Sequence, residues 1–72
     1  MRLDDIRQRF IEFLEKDIRD WEEAARFYEQ NVESVRESGD LARARSGTEE
    51  AEKYRARIVE YRELIEQLRN GQ

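Results

Sequence analysis

Six carboxylates crowd one stretch of this 72-residue chain, Glu12, Glu15, Asp17, Asp20, Glu22 and Glu23, and clustered carboxylates can hold a divalent cation or move protons. Both uses are demanding. A hard cation needs several oxygens converging on one point, whereas residues on a continuous helix meet only at three- or four-residue spacing. No D-x-D-x-D-G loop and no E-x-x-H pair occurs. Bases follow the acids four residues on, as in Glu12 to Lys16, Glu15 to Arg19 and Glu22 to Arg26, so the spacing predicts self-neutralising solvated faces rather than a metal site. Proton transfer near neutral pH calls for His or for a carboxylate shifted by burial. The chain has no His and no Cys, and Ser34, Ser38, Ser46 and Thr48 have no neighbouring base, so neither an enzyme nor a thiolate, zinc or haem site is expected. No catalytic residue, cofactor or metal is assigned.

The remaining use of acidic side chains is recognition. A rod carrying Glu12, Glu15, Asp20, Glu22 and Glu23 could occupy a basic groove that otherwise receives phosphate, in the manner of a small acidic inhibitor that a phage or mobile element deploys against a host nucleic-acid machine. Direct nucleic-acid binding is disfavoured by the net charge of −4. Arg36, Arg43, Arg45, Arg55, Arg57 and Arg62 do gather from the middle of the chain onward, but Glu49, Glu50, Glu52, Glu60 and Glu63 are interleaved with them. RNA binding by a pair of helical hairpins therefore ranks third among the functional readings.

The elements that would position these groups follow from apolar spacing. Ile11, Leu14, Ile18, Trp21, Ala25, Tyr28, Val32 and Val35 alternate three and four residues apart, and so do Ala51, Tyr54, Ile58, Tyr61, Ile65 and Leu68. That is the seam of a helix packed along its length. The expected class is all-α, an antiparallel two-helix hairpin forming one domain over 1–72, with helix one at about 3–38 and helix two at about 40–69, a break being allowed at 46–48. Trp21, Tyr28, Tyr54 and Tyr61 fall on the seams, so their rings are assigned to the core rather than to a stacking platform.

The turn decides which residues face each other. In an antiparallel hairpin facing positions have a constant index sum, and three registers fit the seams. A reversal at Gly39-Asp40 sets large residues against small ones, with Gly47 opposite Val32, a left-handed Gly39 and an Asp40 cap, at the expense of Ser46-Gly47-Thr48 inside helix two. A longer connection over 39 to 47 starts helix two at a Ser46-x-x-Glu49 capping box. A turn at Ser46-Gly47 strands Trp21 on an overhang. The first is preferred.

Leu3, Ile6, Phe10 and Phe13 form a second stripe beside the first seam, at the open end of the hairpin near Leu64 and Leu68, and Phe27 lies off the seam as well. One partner helix covers only one seam. So short a chain also has a marginal core when alone. The excess apolar surface predicts a further contact by Leu3, Ile6, Phe10, Phe13, Phe27 and Leu64, most simply in a homodimer forming a four-helix bundle, otherwise with a different protein. The functional expectation is a non-enzymatic adaptor or regulator that acts by protein–protein interaction. Charges from Arg2 onward leave no apolar leader, and apolar runs are far shorter than the ~20 residues of a membrane span, so a cytoplasmic location without membrane contact is expected.

Overall fold

A computed structural model describes residues 2–71, and within them the chain is an all-helical hairpin, α1 at Leu3–Glu37 and α2 at Leu41–Arg69. It is a rod, 55 × 17 × 11 Å. α1 opens with Asp4 and Asp5 in its first turn, where negative charge complements the helix dipole. It ends in a Schellman arrangement: Gly39 N–H donates to the Arg36 carbonyl at 3.0 Å and Asp40 N–H to the Val35 carbonyl at 3.3 Å. Gly39 sits at φ +89°, a conformation that an added Cβ would strain. One residue later the Asp40 carboxylate accepts the Arg43 N–H at 3.1 Å and starts α2. The reversal thus takes three residues, the first of the three registers.

The core follows from that register. Ile11, Leu14, Ile18, Ala25 and Val32 are buried on α1 against Ala44, Ala51, Ile58 and Ile65 on α2. Bulk sits at the open end of the hairpin, where Trp21, Tyr61, Leu64 and Leu68 pack around the isoleucines. Toward the turn the facing residues shrink to Ala and Gly, and the backbones close in. A methyl at Gly47 would lie 2.6 Å from Val32 Cγ2. α2 runs through Ser46-Gly47-Thr48 without interruption. The Thr48 hydroxyl donates to the Ala44 carbonyl at 3.0 Å, satisfying itself without leaving the helix.

The two edges of the seam differ. Along one, Glu15, Glu22 and Glu29 of α1, seven residues apart, meet Arg69, Arg62 and Arg55 of α2. Their indices all sum to 84, so the ladder is a direct consequence of the hairpin register. Glu29 accepts from Arg55 Nη2 at 2.7 Å and Nε at 3.4 Å. Ring contacts join the helices as well: Trp21 packs on Tyr61 with centroids 4.5 Å apart, Tyr28 stacks on Tyr54 at 6.0 Å, and the Arg57 guanidinium lies 5.8 Å over Trp21. Among the described residues no buried side-chain polar atom lacks a hydrogen bond, and no helix is long and apolar enough to cross a membrane.

Candidate interaction surface

The second stripe is the feature that the hairpin leaves uncovered. Leu3, Ile6, Phe10, Phe13 and Phe27 are 79, 50, 44, 59 and 64 per cent exposed. They continue a three–four alternation along α1 that reads Leu3, Ile6, Phe10, Phe13, Asp17, Asp20, Ala24, Phe27. Successive members stay on one face for the reason that the first seam does, because the spacing averages 3.5 residues against a helical repeat of 3.6. The face lies on the side of the seam opposite the Glu–Arg ladder.

α2 ends at Arg69, roughly level with Phe10, so α1 projects beyond it by about two turns, or 10 Å. On that projection the positions that continue the intramolecular seam are Asp4 and Arg7, which lie 3.9 Å apart as an ion pair. Apolar character therefore rotates off the seam: beyond the end of α2 the large apolar side chains Leu3 and Ile6 point away from where α2 would continue. Leu64 of the same set stands apart. It is half-buried and packed against the core isoleucines, because it adjoins Ile65 and sits at the edge of the seam. It borders the stripe rather than extending it. Phe27 meets Tyr28 edge-on at 5.7 Å, separated from Phe13 by Asp17 and Asp20.

The acidic strip is reorganised by the fold. Glu15 and Glu22 are spent on Arg69 and Arg62 across the hairpin, not on Arg19 and Arg26 along the helix as the four-residue spacing predicts. The reason is geometric. An arginine reaching from the neighbouring helix holds its carboxylate beside the seam, while a pair along one helix stands further out in water. Glu12 accepts from Gln8 at 3.3 Å, and Asp20 and Glu23 are exposed. The Glu29 carboxyl is held below its ordinary value by the Arg55 hydrogen bonds, against a weaker opposing desolvation, and Arg55 is raised by the same bond. Above Ile18 and Ile65, Glu15, Glu22, Arg62 and Arg69 rim an open groove of about 620 Å³. No three Asp or Glu side chains among the described residues converge as metal ligands would.

Neither a known protein family, nor a curated protein, nor a solved structure matches this chain. Function is therefore argued from the surface.

Proposed function

We propose that this chain is a non-enzymatic protein–protein interaction module, an adaptor or regulator that works as a homo-oligomer, with the exposed stripe of α1 as its contact. The observation that carries the reading is the projecting end of α1. Its seam side holds an ion pair, and its other side holds Leu3 and Ile6, continued by Phe10 and Phe13, in water. Each such side chain is worth about 1.5–3 kcal/mol when fully buried, and a contiguous cluster is the kind of surface that association covers. A second copy brings an identical cluster and so satisfies both at once.

The acidic alternative draws less support, because two of the five carboxylates in the strip are already paired with arginine. The arginines that would serve RNA binding are depleted in the same way, since Arg55 and Arg62 face Glu29 and Glu22. Light scattering after size-exclusion chromatography, followed through dilution from about 1 mM chain, tests the proposal. A dimer mass that falls to the monomer on dilution is expected. A monomer at every concentration removes self-association.

A further inference from the structure

We infer that two copies join tip to tip, antiparallel, through the first three turns of α1, so that only the two α1 helices overlap at the centre of a long rod. The inference rests on the self-association proposed above and specifies its geometry.

The stripe itself limits the contact. Its apolar part ends at Phe13, and the next two members are Asp17 and Asp20, with no arginine or lysine placed on them by an ion pair among the described residues. α2 offers nothing to lengthen it. The residues flanking its seam on this side are Arg43, Glu50 and Arg57 before Leu64 is reached. Packing two hairpins side by side along their whole length would therefore press carboxylates and mixed charges into the interface, and an unpaired buried charge is costly. A parallel pair in register would add like charge on like charge at Asp17 and Asp20.

Antiparallel registers can be compared as the hairpin's were. An index sum of 16 sets Leu3 on Phe13 of the second copy and Ile6 on Phe10, apolar on apolar at every layer. Sliding by one heptad puts Leu3 on Asp20 and Ile6 on Asp17. A second heptad recruits Phe27 to Leu3 but puts Asp20 on Phe10 and Asp17 on Phe13. Only the first register buries the stripe without its acids. Aromatic side chains bury roughly 150–250 Å², and with Leu and Ile at the lower end of that range complete burial of the exposed parts of the two stripes withdraws roughly 800 Å² together. Flanking residues bring that past the roughly 1,000 Å² of a specific contact.

Shape distinguishes these arrangements. With the two-fold axis near residue 8 and a rise of 1.5 Å per residue, the tip-to-tip rod is about 90 Å long, against about 70 Å for the register that uses Phe27. A full side-by-side bundle keeps the 55 Å of one hairpin. Small-angle X-ray scattering on the full chain, with mass from light scattering on the same sample, reads both quantities. A dimer mass with a maximum dimension near 90 Å is expected. A dimer of 55–70 Å overturns the tip-to-tip geometry and leaves self-association standing, while a monomer overturns both. Two variants, checked for unchanged helicity by circular dichroism, add a second readout. Phe10→Glu should raise the dissociation constant at least tenfold and Phe27→Glu should leave it within twofold; equal weakening by both overturns the inference.

Discussion

Gly47 and Val32 face each other across the hairpin, where a β-carbon on Gly47 would come within 2.6 Å of Val32 Cγ2. The contact opposes two effects of known size. Glycine inside a helix costs about 1 kcal/mol relative to alanine, and forcing a methyl into a filled site costs typically 1–3 kcal/mol. Val32 is branched at Cβ and buried, so it cannot swing aside. Gly47→Ala should therefore lower the melting temperature despite its better helix propensity. Adding Val32→Ala should recover part of the loss, although Val32→Ala alone is destabilising. Thermal melts of the four-member cycle measure this, and a Gly47→Ala variant more stable than the parent would show that the backbones can separate freely.

That glycine also shows how far the fold was legible. Seam spacing and the Gly39-Asp40 turn suffice for the hairpin and its preferred register, since only that register puts Val32 over a residue without a side chain. The ladder of Glu15, Glu22 and Glu29 against Arg69, Arg62 and Arg55 follows from the same index rule. It is hidden by the nearer Arg19 and Arg26, because neighbours along one helix are visible before the register is fixed and cross-helix partners only after it. The seam spacing leaves Leu64 free for a further contact, yet its place beside Ile65 brings it against the core. What the stripe touches is not encoded within one copy.

Glu29 and Arg55 couple stability to acid. The folded pKa of Glu29 lies below the 4.5 of an unperturbed glutamate. The stabilisation is consequently present in full above that ordinary value, and it is lost as pH falls through the folded pKa and the carboxylate takes up a proton. Both groups are open to water, so the effect is small. Glu29→Gln, which resembles the protonated carboxyl, should lower the melting temperature slightly at pH 7 and converge on the parent below about pH 4.5, so that its acid limb is flatter. Melts from pH 3 to pH 7 check it. A parallel acid limb in parent and variant would mean that other carboxylates carry the whole dependence.

Salt separates the apolar stripe from the acidic strip as the working surface. Burial of Leu3, Ile6, Phe10 and Phe13 is not screened by ions, whereas attraction between Glu12, Asp20 or Glu23 and a basic partner weakens as the Debye length shrinks from about 10 Å at 0.1 M to about 3 Å at 1 M. The self-association constant should accordingly hold or tighten across that range. Sedimentation equilibrium at both ends measures it. Dissociation at high salt would move the contact from the stripe to the charges.

Asp17 and Asp20 make the sharpest prediction, because they interrupt a stripe that would otherwise run from Leu3 to Phe27. If the two carboxylates set the extent of contact between copies, replacing them should change the shape of the assembly and not merely its strength. Asp17→Leu combined with Asp20→Leu adds two apolar layers per copy, each side chain worth about 1.5–3 kcal/mol if buried. It also removes the charges that penalise the longer overlaps. The register with Leu3 on Phe27 of the second copy then becomes apolar throughout, so the pair should slide inward, bind more tightly and shorten from about 90 Å to about 70 Å. Scattering and dilution on the double variant read length and affinity together. Tighter binding without shortening would mean that the overlap is fixed by something other than these two carboxylates.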